Sequence, residues 1–239
     1  MPRRSKTIRV FVSSTFEDLK LERDALQRET FPRLREYCKR AGWQFQAVDL
    51  RWGINNEATI DQRTMEICLR EIKRCQEMSP RPNFIVLLGE RYGWRPLPDR
   101  ILDSVWKDMQ DDMPDDLKMT FHQWYELDEN QLPEAVWQLK PRKGRFIDRY
   151  QDYNDEVQTP LGQFFSKWAA AHLPNPDDPV NQDNPGALQR LKMQRSATEQ
   201  EIHAGAFAVK DADEHVFAYF RTLKPCSPDH AKFFETESD

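Results

Sequence analysis

The sequence lacks the features that mark nucleic-acid-binding, membrane and secreted proteins. Its 239 residues carry a formal net charge of -5. Phosphate binding needs a concentrated basic face, so nucleic acid is not expected as a direct partner. No apolar run approaches the length that crosses a bilayer. The first residues, MPRRSKTIRV, lack the apolar stretch and small-residue cleavage site of a secretory signal. We therefore expect a cytoplasmic protein without a membrane partner.

Cysteine is scarce, and the usual catalytic motifs are missing. The four cysteines, Cys38, Cys68, Cys75 and Cys226, have no metal-type spacing, so buried reduced thiols are favoured over a metal site. There is no G-x-x-x-x-G-K-[ST] phosphate loop, no H-E-x-x-H, no paired C-x-x-C and no G-x-G-x-x-G after the first predicted strand. No histidine has the context of a catalytic triad. His203 is nearest to the candidate site and is predicted to be an exposed helical residue.

What the sequence does have is an alternation of strands and helices. Short apolar, β-branched runs predict the strands, and apolar positions at helical spacing predict the helices between them. In chain order, the predicted elements are strand 8–12, helix 17–40, strand 44–49, helix 65–75 and strand 83–88. Ser14 or Thr15 is predicted to cap the first helix, which should bend at Phe31-Pro32. This order predicts an α/β fold with a parallel sheet of four to five strands flanked by helices.

The alternation then stops and resumes about a hundred residues later. From about 97 to 195 no clear strand is predicted, whereas helical patterns cover 101–109, 117–126 and 161–172. A capping box at Ser196 to Glu199 opens a helix to about residue 209, and a fourth strand is predicted at 215–220. We expect one domain, with its core at 7–97 and 196–223 and a mainly helical insertion at about 98–195. A doubly wound sheet normally continues beyond this point, so we also expect a longer parent protein.

A candidate site follows from the topology, because open parallel sheets bind ligands beyond the carboxyl ends of their strands. The loop residues predicted to bind a substrate there are Ser13, Ser14, Thr15, Arg51, Trp52, Gly89, Glu90, Arg91, Tyr92 and Trp94. Other roles stay open. The hydroxyls suit helix capping, the tryptophans suit packing, and the arginines suit ion pairs with nearby carboxylates. For Glu199 the alternative role is a favourable electrostatic interaction of its carboxylate with the N-terminus of its helix.

Several segments together resemble a known family. In order, they are IRVFVSSTFEDLKLERDAL, VDLRWGI, CLREIKRC, FIVLLGERYGWRP, WYELDENQLPEAVWQLKPR and SATEQEI with VFAYFR. They are similar to the TIR-like N-terminal domain of STAND-type NTPases, a group that includes telomerase-associated, nephrocystin-type and NACHT-and-WD-repeat proteins and bacterial relatives. The resemblance covers about residues 7 to 222 and implies a flavodoxin-like fold joined to a nucleotide-binding module and repeat domains.

The resemblance also implies two kinds of function. One is self-association that recruits partners. The other is cleavage of NAD at its nicotinamide–ribose bond upon oligomerisation, in immune or anti-phage defence, with NAD as substrate and no cofactor. Glu201 matches the catalytic glutamate of TIR domains and Glu199 is its neighbour, although Ala197-Thr198 stand where those domains carry Trp-Cys. A nucleoside-processing enzyme of the deoxyribosyltransferase type is a third interpretation.

Overall fold

A computed structural model describes residues 6–15, 17–50, 62–79 and 81–224 of the protein. The chain packs as two units. The first holds the chain up to residue 54, Ile67–Trp94 and the chain from Thr198 onward, and the second holds residues 55–66 and Arg95–Ala197. None of the helices in the described ranges combines the length and apolarity that a bilayer crossing requires.

The strands and α-helices are numbered in chain order. They are β1 (Thr7–Ser13), α1 (Lys20–Ala25), α2 (Phe31–Arg40), β2 (Gln44–Val48), α3 (Thr64–Met78), β3 (Phe84–Leu88), β4 (Arg100–Leu102), α4 (Asp103–Met109), α5 (Asp115–Trp124), β5 (Tyr125–Asp128), β6 (Val136–Leu139), α6 (Tyr150–Tyr153), α7 (Thr159–His172), α8 (Pro185–Gln194), α9 (Ala197–Ile202), α10 (Ala212–His215) and β7 (Val216–Phe220). Leu26–Thr30, Asn154–Gln158 and His203–Phe207 are π-helical, and Gly144–Phe146 and Pro179–Asn181 are short 3-10 turns.

The first unit is built on a sheet with the strand order β2-β1-β3-β7, in which every neighbouring pair is parallel. This is the order of the flavodoxin-like doubly wound fold, so the predicted α/β class and parallel sheet are confirmed, with four strands. The order reverses between β1 and β3, where Ser13 lies beside Val86 in the register. Ligands of such sheets bind at this reversal, just beyond the carboxyl ends of the two strands.

Alternating side chains of β1 supply two separate cores. Phe11 stacks on Phe84 at a ring-centroid distance of 5.9 Å and joins the core that includes Ile72 of α3. Val12 points to the opposite face and packs in a second core with Leu19. This division follows from the period of two in a β-strand. Helices therefore cover both faces of the sheet, as the continuously apolar strand β3 predicts.

The helix after β1 begins later than predicted. Its first residue is Lys20, and its N-cap position is Leu19, which makes no side-chain capping hydrogen bond. Capping by Ser14 or Thr15 is therefore wrong. The predicted bend takes the form of the π-helical turn Leu26–Thr30, directly before Phe31-Pro32. Proline has no N–H to donate to the preceding turn, and a π turn accommodates this defect.

The second unit contains strands that the sequence patterns did not predict. Strands β4, β6 and β5 form an antiparallel sheet in that order. The prediction that residues 97 to 195 contain no strand is therefore wrong. Each of these strands has only three or four residues, too few to show alternation, and Tyr125–Asp128 lay partly inside a predicted helix. An aromatic core, in which Trp106 stacks on Phe121, fills this unit.

Candidate functional site

Glu201 lies at the carboxyl end of β1, within the first unit. The helical segment that carries it approaches the sheet closely at Gly205, where an added Cβ would come within 2.5 Å of the Phe84 ring. Glycine is needed there because only a residue without Cβ permits this approach. Glu201 precedes Gly205 by one helical turn, and its side chain is buried with 8% exposure. The Ser13 hydroxyl donates a hydrogen bond of 2.5 Å to Oε2 of Glu201.

Burial changes the acidity of Glu201. Desolvation of the carboxylate raises its pKa from 4.5 to about 7, and the nearby charge of Asp49 acts in the same direction. Hydrogen bonds from Ser13 and Cys68 and the positive charge of Arg23 lower the pKa, without offsetting the burial. A carboxyl group with a pKa near 7 exchanges its proton at physiological pH, which suits a general acid or base.

A buried ion pair lies next to this carboxyl group. Arg23 and Asp49 form a salt bridge, with side-chain exposures of 1% and 2%. The Arg23 guanidinium also donates from Nη1 to the Ser14 hydroxyl at 2.8 Å and to the Ser14 carbonyl oxygen at 3.3 Å. Sequence reasoning missed this pair. A signal was present, because Arg23 stands between the core residues Leu19 and Leu26 at helical spacing, where an apolar residue is expected.

The cysteines nearest the site are buried thiols. Cys68 of α3 donates a hydrogen bond to Glu201, and burial raises the pKa of the Cys68 thiol far above its ordinary value. Burial also raises the pKa of Cys75 to about 12. The prediction of buried thiols is confirmed for Cys38, Cys68 and Cys75, whereas Cys226 lies outside the described residues. Among the described residues, no three His, Cys, Asp or Glu side chains gather closely enough to hold a metal ion.

The loop after β3 contributes a second contact to the α9 segment. The Tyr92 hydroxyl donates a hydrogen bond to Oε2 of Glu199. Gly93 next to it has a φ of +96°, and an added Cβ would lie 2.9 Å from Cγ2 of Thr15 and 3.6 Å from the hydroxyl of Thr198. The loops after β1 and β3 therefore meet beside the start of α9. This is where the sequence predicted a shared site.

Gly89 and Asp18 belong to a neighbouring cluster on the same edge of the sheet. An added Cβ on Gly89 would overlap Oδ2 of Asp18 at 2.2 Å and lie 3.2 Å from Nη2 of Arg221. Arg221 donates to the Asp18 carbonyl oxygen at 2.5 Å and to the Glu22 carboxylate at 2.6 Å. Sequence reasoning missed Arg221, which directly follows β7. The parallel pairing of β7 with β3 brings it to the same edge of the sheet as the loop after β1.

The remaining predicted residues are less closely connected to Glu201. Glu90 is exposed and Trp94 is 44% exposed, and no hydrogen bond in the described ranges joins either side chain to the Glu201 network. Arg91 is half-buried. Arg51 and Trp52 lie outside the described residues. His203, predicted to be exposed, is buried because it lies on the turn of helix that faces the sheet.

The first unit also has a cleft of about 570 Å³, a volume in the range of small-molecule sites. It runs along the edge strand β2, and its lining residues are Arg9, Gln27, Gln46, Ala47, Val48, Asp49, Leu50 and Glu71. Among the described residues, none of the predicted site residues lines it. Within the described ranges, the cleft shares one residue with the Glu201 network, namely Asp49, which forms the ion pair with Arg23.

Comparison with known proteins finds a family model that matches part of the chain. Residues 9–112 match the family model of a domain of unknown function, DUF4062. No solved structure matches the chain. The NACHT domain- and WD repeat-containing protein 1 of Mus musculus is 40% identical over 123 residues, which cover 50% of this chain and 8% of that protein.

Two further relatives have names that mention neither a NACHT domain nor WD repeats. Telomerase protein component 1 of Rattus norvegicus is 41% identical over 98 residues, covering 39% of this chain and 4% of that protein. A TPR repeat-containing protein of Dictyostelium discoideum is 35% identical over 89 residues, covering 37% of this chain and 5% of that protein. The chain thus matches less than a tenth of the length of each of these relatives. Residues 9–112 thus resemble DUF4062, and together with the matched relatives this supports an N-terminal domain of NACHT- or STAND-like proteins.

Proposed function

We propose that this chain is the TIR-like effector domain of a cytoplasmic STAND-type NTPase and that it cleaves NAD at the nicotinamide–ribose bond when the parent protein oligomerises. One observation carries the proposal. Glu201, which is separated from β1 by 188 residues, returns to the carboxyl end of that strand and accepts a hydrogen bond from Ser13. The position is the strand-order reversal at which flavodoxin-like sheets bind ligands.

The chemistry needs one ionised carboxylate. The bond between the nicotinamide nitrogen and C1′ of the ribose breaks with its electron pair leaving on nicotinamide, so positive charge develops on the ribose. A carboxylate beside the sugar stabilises that oxocarbenium-like state, by analogy with glycosidases. Water then adds to C1′ and loses a proton, which gives ADP-ribose. Glu201 supplies the carboxylate in this scheme, Ser13 orients it, and Tyr92 with Glu199 forms the adjoining wall.

The isolated chain corresponds to a closed form of the site. Glu201 is only 8% exposed, so a ribose reaches it only if the loops after β1 and β3 move apart. Gly93, with its positive φ, and the contact between Thr15 and the loop after β3 are where this opening would occur. Oligomerisation by nucleotide-binding and repeat domains, of the kind named in the relatives, would supply the driving force. A role in immune or anti-phage defence fits an effector that consumes NAD only after assembly.

Free nicotinamide measures this activity directly. The chain, fused to a coiled coil that forces oligomers, is incubated with NAD at pH 8, and nicotinamide is quantified by chromatography. The parent should release nicotinamide, and Glu201→Gln should lose about a hundredfold or more of the rate, because one preorganised charge contributes several kcal/mol to a transition state. Glu36→Gln, on an exposed helical surface, is the matched control and should keep full activity. A forced oligomer with no turnover would refute the catalytic proposal.

A second candidate function, non-catalytic self-assembly, is favoured by the surface of β7. In the part of the chain that the structure describes, this strand lies at the edge of the sheet, and Phe217, Tyr219 and Phe220 are 50%, 57% and 77% exposed. An edge strand with exposed aromatic side chains is a typical place for another chain to pair. On this proposal a second copy of the chain docks against β7 and the domain acts by recruitment.

Sedimentation of the chain over a range of concentrations tests the assembly proposal. The parent should show a concentration-dependent increase in mass, which Tyr219→Lys should abolish. Leu132→Lys, which changes a 92% exposed leucine of the other unit, should leave the mass unchanged. A parent chain that stays monomeric at every concentration would contradict docking of a second copy at β7.

A further inference from the structure

The second unit contains a buried arginine that has no acidic partner. Two arginines of the described ranges are more than nine-tenths buried, namely Arg23 with 1% exposure and Arg142 with 6%. Arg23 is neutralised by Asp49, as described above. No carboxylate of the described residues lies within ion-pairing distance of Arg142, whose one side-chain hydrogen bond runs from Nη1 to the Phe146 carbonyl oxygen at 3.1 Å.

Aromatic rings hold the Arg142 guanidinium in place. Its central carbon lies 5.1 Å from the ring centroid of Tyr150 and 5.8 Å from that of Tyr153. Tyr153 is itself fixed, because it is 1% exposed and its hydroxyl donates to the side-chain oxygen of Gln62. The cation is therefore preorganised, and little side-chain entropy remains to be lost when a ligand binds.

Part of the guanidinium still faces solvent. No nitrogen of Arg142 is among the fully buried side-chain atoms that lack a hydrogen-bond partner in the described residues. Since Nη1 has the only hydrogen bond of this side chain, Nε and Nη2 reach solvent. These two N–H groups form one edge of the guanidinium, and that edge matches the oxygen spacing of a phosphate or carboxylate in bidentate geometry.

The surrounding chain is strongly basic, in contrast to the protein as a whole. Residues 140–149 include one acid, Asp148, and five bases, which are Lys140, Arg142, Lys143, Arg145 and Arg149. Arg145 pairs with the exposed Glu156, and Arg149 pairs with the half-buried Asp152. Lys140 donates to a main-chain oxygen, and Lys143 has no ion pair among the described residues. The positive charges of Lys140, Arg142 and Lys143 therefore have no ion-pair partner among the described residues, and this favours an anionic ligand.

We propose that Arg142 anchors a binding site for a phosphate group, with the N–H edge of its guanidinium donating to two phosphate oxygens. Tyr150, which is 40% exposed, lines the site and offers a ring face to a base or sugar attached to that phosphate. The ligand is therefore a small phosphate compound, either inorganic pyrophosphate or a nucleoside diphosphate. This site is independent of NAD cleavage, because its residues all belong to the second unit.

Calorimetric titration of the whole chain with pyrophosphate and, separately, with ADP tests this site at constant ionic strength. At least one of them should bind with one-to-one stoichiometry. Arg142→Met should weaken that binding about tenfold or more, since hydrogen bonds to a charged group are lost. Arg149→Met removes the same charge from an exposed position, so it is the matched control and should change the affinity less than about threefold. If both probes bind, the phosphate groups alone are sufficient for recognition. If only ADP binds, the adenosine is also required, and its contact is assigned to the Tyr150 ring.

The variants also separate this site from general charge attraction. If Arg142→Met does not fold, as judged by circular dichroism, Arg142→Lys keeps the charge but lacks the planar donor edge, and it should weaken binding about fivefold or more. The proposal is overturned if neither probe binds the parent saturably. It is equally overturned if Arg142→Lys binds like the parent, or if Arg142→Met and Arg149→Met lose affinity to the same extent.

Discussion

Replacing Glu201 with glutamine should change how the stability of the protein depends on pH. In the folded protein, burial raises the pKa of Glu201 to about 7, whereas the ordinary value is 4.5. Each tenfold difference in proton affinity corresponds to about 1.4 kcal/mol. The difference between the folded and unfolded states is therefore worth about 3 kcal/mol of unfolding free energy.

The sign follows from which state holds the proton. Below pH 4.5 the carboxyl group is protonated in both states, and it has no pH-dependent effect. Between pH 4.5 and 7 the unfolded chain releases the proton while the folded protein keeps it, so raising the pH destabilises the fold. Above pH 7 the folded protein also ionises and the loss is complete. Glutamine has no proton to release in this range, so Glu201→Gln should be free of this loss.

Urea denaturation at a series of pH values from 4.5 to 8 measures the effect. The unfolding free energy of Glu201→Gln, minus that of the parent, should rise by about 3 kcal/mol across this range, with unchanged dependence on urea concentration. Glu36→Gln removes an exposed carboxylate that pairs with Arg40 four residues away. This control should differ from the parent by less than about 1 kcal/mol at every pH. Parallel curves for Glu201→Gln and the parent would refute the argument that burial dominates at this carboxyl group.

Three other predictions test the same unit. Arg23→Met should lower the unfolding free energy by about 3–5 kcal/mol, because it leaves the Asp49 carboxylate buried and uncompensated. Arg145→Met breaks an exposed ion pair and should lower it by less than about 1 kcal/mol, as urea denaturation of both variants would measure. Gly205→Ala should destabilise by about 1–3 kcal/mol through overlap with an aromatic ring of β3. Gly162→Ala, where the nearest atom would lie 3.9 Å away, should be neutral or stabilising, and equal thermal shifts for the two would refute the overlap argument. Nicotinamide release by the forced oligomer should rise with pH around a midpoint near 7 as Glu201 ionises, and a rate that falls over that range would contradict a carboxylate role.

The elements that were predicted correctly have a strong local cause. Strand β1 is a short β-branched run and β3 is a continuous apolar run, and the helix α3 presents Cys68, Ile72 and Cys75 at helical spacing to one core. The parallel sheet followed from their alternation. The strands β4, β5 and β6 were not predicted because three or four residues show no recognisable period. Their pairing also joins residues far apart in the sequence, such as Arg100 and Gln138, which are 38 positions apart.

The candidate site was predictable only in part. Its loops follow from the rule that ligands bind at the carboxyl ends of parallel strands, and Ser13, Tyr92 and the two glutamates do meet there. Arg23 and Asp49 were not predicted, because their pairing joins a helix to the end of another strand 26 residues later. The burial of His203 was not predicted either, because the approach of its helix to the sheet depends on the fit of Gly205 against Phe84.

The sequence by itself determined the α/β class, the positions of the first three strands along the chain and the place of Glu201 on a helix, since periodicity and apolar runs act over a few residues. Only the tertiary structure decided the chemical state of that glutamate. Its pKa near 7 arises from burial and from Ser13, Cys68, Arg23 and Asp49, which lie on four other segments of the chain. Desolvation and charge act through space, so acidity at this site is a property of the assembled fold.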